Sequence, residues 1–280
     1  LAQLFPNIPF SYITNGVHPP TWVTPRMAVL YDKRIGPEWR TNPESFVKAR
    51  MISPSELWSA HHQNKVESLE QLSAMTGATL DPDVFTIVFA RRAAAYKRWD
   101  LIFNDGFVDY LERELPGRMQ VIFAGKPHPK DENGRKMMEH ALAAGARLKN
   151  HKVVQLPDYG IDYSKLLLMA ADAWLNNPQS GKEACATSGM KAALNGIPHI
   201  SNPEGWWWEA PRMQGVNGWT FQGNGTSEAN AALSAIKHAM ISYYSGTMAA
   251  MMPQIISDFG PLFHSTRMLR QYQARAWNGH

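Results

Sequence analysis

The chain has 280 residues, 44% hydrophobic and 19% charged, a composition that excludes a disordered or fibrous protein and leaves enough material for a sizeable core. A net charge of +4, with Lys and Arg spread along the chain, favours a local anion site over a nucleic-acid track. No apolar run of about 18 residues marks a membrane span, and the opening "LAQLFPNIPF" lacks the basic and apolar regions of a signal peptide. The lone cysteine, Cys185, excludes an internal disulfide framework, so a reducing, cytoplasmic setting is expected.

Residues 1–80 combine Pro-rich loops such as "NGVHPPTWVTP" with two predicted helices, at Pro25–Gly36 and Ser55–Met75. From there apolar runs of strand length recur: Val84–Ala90, Met119–Gly125, Lys152–Leu156, Ala173–Asn177 and Ile197–Ser201. Segments of helical period lie between them, at Asp100–Leu115, Asp131–Leu148, Ile161–Ala171 and Ser188–Asn195. Further helices are predicted at Glu228–Tyr244, Met248–Phe259 and Thr266–Trp277. This alternation implies an α/β fold, a parallel Rossmann-like sheet with helices on both faces. No repeat or linker divides the chain, so residues 1–280 are expected to form a single domain.

Ligands of such sheets collect beyond the carboxyl ends of the strands. The first strand runs into "RRAAAYKRW", which places Arg91, Arg92, Lys97 and Arg98 within eight positions. Two guanidinium forks and an ammonium beside small alanines suit an anion, and a solvated basic loop is the alternative. The next strand ends in "AGKPHPKDENGRK", where Lys126 stands at the turn and Asp131 or Asn133 can cap the following helix. In "EACATSGMKAALNG" (Glu183–Gly196), Thr187 and Ser188 are candidate N-caps of a helix whose free N–H groups would suit a phosphate. Lys191 then falls one turn in, near the positive end of the helix dipole, an unfavourable place for an ammonium. A covalent bond to an aldehyde cofactor would remove the conflict, and so would a side chain snorkelling to water. "GWWWEA" (Gly205–Ala210) offers flat aromatic faces for sugar rings or for the core. No pair of Cys, His or Asp has metal-ligand spacing, so no metal site is expected.

Six motifs, in order, resemble the α-glucan (glycogen, starch, maltodextrin) phosphorylases, particularly their shorter bacterial and archaeal type. They are "TNGVHPPTWV" (Thr14–Val23), "FARRAAAYKR" (Phe89–Arg98), "FAGKPHPKDENGRK" (Phe123–Lys136), "LPDYGIDYSKLLLMAADAWLNNP" (Leu156–Pro178), "EACATSGMKAALNG" and "GWWWEA". The resemblance implies phosphorolysis of terminal α-1,4-linked glucose to glucose 1-phosphate with retention, by a glycosyltransferase carrying pyridoxal 5'-phosphate. It implies that Lys191 forms the Schiff base, that Thr187, Ser188 and Arg91 hold the cofactor phosphate, and that Trp22 and Tyr159 flank the cofactor. Arg92 and Lys97 resemble the pair that holds substrate phosphate, with Tyr96 lining the pocket. Asn15 and Glu183 resemble glucose-binding residues.

The family commonly reads Ser-Gly where this chain has Cys185 and Ala186, at a loop that touches the sugar. A methyl at Ala186 is harmless if its φ is negative and otherwise narrows that contact. The resemblance covers a C-terminal lobe alone, and the chain opens on Leu rather than Met. A missing N-terminal lobe and little or no turnover by these residues alone are therefore expected, and a homodimer is compatible with the family. Two other readings remain: a retaining glycosyltransferase that uses a nucleotide sugar, and a non-enzymatic glucan-binding module derived from a phosphorylase lobe.

Overall fold

The computed structural model describes residues 11–91, 93–103, 107–156 and 160–277. Ahead of the sheet lie α1 (Pro19–Trp22), α2 (Pro25–Arg34), the 3-10 segments Pro37–Arg40 and Pro43–Met51, and α3 (Pro54–Thr76). Each of the five begins with proline, whose missing N–H costs nothing in a first turn and whose φ is already helical. The Ser53 hydroxyl caps α3 by accepting from the Glu56 N–H, and Gly77 ends it at φ 70°.

Strand and helix then alternate through β1 (Phe85–Ala90), α4 (Phe107–Glu114), β2 (Met119–Ala124), α5 (Glu132–Gly145), β3 (Lys152–Leu156), α6 (Ile161–Ala170), β4 (Ala173–Asn176), α7 (Thr187–Ala193) and β5 (His199–Ser201). The short α8 (Trp206–Glu209) leads to β6 (Gly218–Thr220), and α9 (Thr226–Tyr244), α10 (Met248–Phe259) and α11 (Ser265–Tyr272) follow, with a π-helical turn at Gln273–Trp277. Among the described residues the strands form one parallel sheet in the order β3-β2-β1-β4-β5-β6, the doubly wound Rossmann-like arrangement expected from the alternation.

The pleat sorts the core. Phe85, Ile87 and Phe89 of β1 with Met119, Val121 and Phe123 of β2 face one apolar cluster, while Val88, Ala90, Ile122 and Ala124 face the other. Leu69 and Leu72 of α3 and Leu167 and Leu168 of α6 close the smaller side, and α9 and α10 close the larger one. At the amino end of the sheet Lys65 is bonded to Asp172 at 2.5 Å and to the Val84 carbonyl at 2.8 Å, while His61 bonds the second Asp172 oxygen at 2.8 Å. Burial alone would raise the Asp172 carboxyl, but Lys65 and His61 together hold it below the usual range.

Several details differ from the expected elements. The segment expected as helix from Asp100 makes turns up to Phe103, because Arg98 adopts φ 50° and Trp99 folds back to stack on Phe123 at 5.0 Å. The last helix runs to Trp277 as expected, but it is α-helical to Tyr272 and π-helical over Gln273–Trp277. Strand β6 was not anticipated; it has three residues, begins with glycine and gains its place by pairing with β5.

Candidate functional site

Strands β1 and β4 are neighbours at the point where the strand order reverses, and the loops leaving their carboxyl ends carry the charged candidates. Arg91 follows β1 directly and Lys97 sits in the short 3-10 turn Ala95–Lys97; each is only 7% exposed. Glu183, from the loop between β4 and α7, accepts from both on one oxygen, Arg91 Nη2 at 2.5 Å and Lys97 Nζ in a shorter contact. A solvated basic loop is therefore not what forms. The Lys97 ammonium also lies 4.5 Å from the centroid of the Tyr96 ring.

Arg98, which the sequence reading gave no role, fixes this geometry. Its guanidinium donates to both Glu228 oxygens, at 2.5 and 2.9 Å, and to the carbonyls of Asn177 and Pro178 at 2.8 and 2.7 Å. Asn177 Nδ2 donates back to the Arg98 carbonyl at 2.8 Å, and the Gln179 N–H donates to the Tyr96 carbonyl at 2.7 Å. The loop carrying Lys97 and the loop leading to Glu183 are thus bound edge to edge.

Helix α7 departs from expectation at its start. Its N-cap is Ala186, at φ 60° and ψ 61° with no side-chain cap bond, so Thr187 and Ser188 are its first two helical residues rather than caps. The Ser188 hydroxyl instead accepts from Trp174 Nε1 at 3.2 Å. Ala186 therefore has the positive φ that costs an L-residue with a Cβ about 1–2 kcal/mol. Gly189 cannot carry a side chain, since a Cβ there would meet His199 Cε1 and Trp206 Nε1 at 2.6 Å.

Helix α7 is only seven residues long, so Lys191 falls in its last turn, and the expected clash with the helix dipole loses its force. Burial governs the amine instead. Lys191 Nζ lies 3.5 Å from the centroid of the Trp22 ring, and burial pushes the ammonium down to about 8. The aromatic face offsets part of that cost. Asn195, a residue with no signal in the sequence, holds the pair together. Its Oδ1 accepts from the Thr24 N–H at 2.7 Å and hydroxyl at 3.0 Å, and its Nδ2 donates to the carbonyls of Trp22 and Lys191, both at 2.9 Å.

Asn15 lies against the Cys185 thiol, which burial pushes up from its usual range. Its segment is clamped from the far end of the chain. Arg267 of α11 donates to the carbonyls of Thr14 and Asn15 at 2.7 and 2.9 Å, and Val17 bridges to His264. Within "GWWWEA", Trp206 and Trp207 are fully buried core residues, and Trp208 is 64% exposed. Residues 183–191 thus run past three groupings: Arg91 and Lys97 on Glu183, Asn15 on Cys185, and Trp22 on Lys191. Arg92 and Tyr159 lie outside the described residues. Among the described residues no cluster of His, Cys, Asp and Glu has the makings of a metal site, and no helix is long and apolar enough to cross a membrane.

The sequence matches the carbohydrate phosphorylase family over residues 1–274. The chain belongs to that family. Similar proteins include the glycogen phosphorylase of Aquifex aeolicus strain VF5, 33% identical over 94% of this chain and 43% of its own length. Glycogen phosphorylase of Mycobacterium tuberculosis H37Rv and maltodextrin phosphorylase of Thermococcus litoralis are each 31% identical over 95% of this chain and 35% of their own length. The chain therefore spans less than half of these phosphorylases. The family match and the sheet together make it one lobe's worth of a larger α/β fold.

Proposed function

We propose that this chain is the cofactor-binding lobe of an α-glucan phosphorylase, a glycosyltransferase that cleaves terminal α-1,4-linked glucose with inorganic phosphate to give glucose 1-phosphate with retention. The observation that carries the reading is Lys191, a half-buried lysine held 3.5 Å from the centroid of the Trp22 ring and lowered by burial, one turn into a helix with no capping side chain. An amine held at about 8 is partly neutral at cellular pH and is ready to bond an aldehyde.

Pyridoxal 5'-phosphate fits these residues. Lys191 would hold its aldehyde, Trp22 and Tyr159 would flank its ring, and the backbone N–H groups of Thr187 and Ser188 with Arg91 would hold its phosphate. When bound, the group supplies a phosphate that exchanges a proton with substrate phosphate. Arg92 and Lys97 would bind that substrate phosphate, their charges lowering the repulsion between two phosphates. Tyr96 would line the pocket, while Asn15, Glu183 and the Cys185–Ala186 backbone would orient the glucose. Arg98 keeps the Lys97 loop in register.

The remainder of the acceptor-glucan site belongs to a second, N-terminal lobe of the parent protein, so residues 1–280 form one domain and turn over poorly or not at all alone. Cytoplasmic glucan metabolism and a parent homodimer are consistent with this assignment. Incubation with pyridoxal 5'-phosphate, borohydride reduction and peptide mapping test it. Stoichiometric label on Lys191 is expected, and an unlabelled Lys191 would sink the proposal.

A further inference from the structure

Glu183 gives a single carboxylate oxygen to both Arg91 and Lys97, and all three side chains are nearly excluded from water, at 8%, 7% and 8% side-chain exposure. The pair of cations that suits a phosphate is therefore already half neutralised from within the chain, two positive charges meeting one carboxylate. A phosphate oxygen arriving between Arg91 and Lys97 would need the N–H groups that Glu183 occupies. The carboxylate and a phosphate dianion cannot share them, since like charges in contact repel strongly where water is excluded. Glu183 hangs from an irregular loop between β4 and α7, with exposed Lys182 and Ala184 on either side, so its carboxylate can leave without unfolding an element.

We infer that Glu183 is an internal counter-ion that opposes phosphate binding at Arg91 and Lys97 until its carboxylate is drawn away. This rests on the phosphorylase reading, in which glucose hydroxyls give that carboxylate a new partner. Sugar and phosphate then favour each other's binding: sugar removes the competing anion, and by linkage phosphate raises the affinity for sugar by the same factor. One side chain thereby determines when Arg91, assigned above to the cofactor phosphate, and Lys97, assigned to substrate phosphate, accept an anion.

The experiment is a calorimetric or phosphorus-NMR titration of the full 280-residue chain with inorganic phosphate, comparing wild type with Glu183→Gln and checking the fold by circular dichroism. The glutamine keeps the shape and removes the charge. It is expected to bind phosphate about tenfold more tightly or better, roughly 1.4 kcal/mol, with the gain abolished by adding Lys97→Met. Equal or weaker phosphate affinity in a folded Glu183→Gln protein overturns the inference, as does failure of both forms to bind phosphate. Should the glutamine variant not fold, wild type alone decides. Saturating maltose, its binding to the same chain first established by calorimetry, should tighten phosphate binding several-fold, and unchanged affinity overturns the inference. The titration needs no cofactor, so failure of Lys191 to take pyridoxal phosphate would refute the phosphorylase assignment separately.

Discussion

The low basicity of Lys191 has a consequence that can be measured without catalytic turnover. A lysine at the usual 10.5 is neutral in roughly 0.03% of molecules at pH 7, whereas one at about 8 is neutral in roughly 9%, an enrichment of about 300-fold. Aldehydes attack only the neutral amine, so Lys191 should be labelled ahead of exposed lysines such as Lys33 and Lys130. The assay uses pyridoxal without its phosphate, so that nearby cations do not steer the reagent. Trapping with borohydride from about pH 6 to 10 and peptide mapping should give a Lys191 profile with its midpoint near 8. The linkage has a definite sign: the folded lysine loses its proton before the unfolded one, so stability from this group rises with pH between about 8 and 10.5 and is lowest below 8. A midpoint near 10, or a Lys191 labelled no faster than the surface lysines, would refute the claim that burial governs this amine.

Ala186→Gly should stabilise the chain. Relief of the positive-φ Cβ contact, about 1–2 kcal/mol, outweighs the added unfolded-state entropy of glycine by roughly 0.5–1 kcal/mol, a rise of about 1–3 °C in Tm. An unchanged or lower melting temperature in a thermal scan would contradict the strain. Asn195→Ala strands two donors at Thr24 and two carbonyls at Trp22 and Lys191, and should cost roughly 2–4 kcal/mol by urea titration. It should also slow the Lys191 labelling described above, since the Trp22 turn loses its tether; full-rate labelling would show that Asn195 does not position the pair.

Much of the sheet was legible because a strand buried on both faces leaves a mark in composition. "VFTIVFA" and "MQVIFAG" are apolar apart from Thr86 and Gln120, and both form central strands with every residue buried. Strand β6 left no such mark, since "GWT" is too short to show any period. At the site, the residue types were readable and their relations were not. Lys191, Trp22, Arg91 and Lys97 stood out by position after strands or in motifs, but the pairing of Glu183 with two cations joins residues 86 and 92 positions apart. The start of α7 was misread by one residue because Thr187 and Ser188 are strong caps in isolation, and the chain instead places Ala186 there in a left-handed conformation.

The sequence by itself determined the order of β1 to β5 and the helices between them, and with it the parallel Rossmann-like sheet and the loops at its carboxyl end. Apolar periodicity and turn residues are local signals, and the handedness of βαβ crossovers converts local order into topology. Tertiary structure alone decided the chemistry of those loops. Burial against Trp22 lowers Lys191, Glu183 pairs with both cations, and Asn195, Arg98 and Arg267 tie the loops through backbone carbonyls. Desolvation and hydrogen bonding depend on what surrounds a group in space, and no spacing along the chain records that.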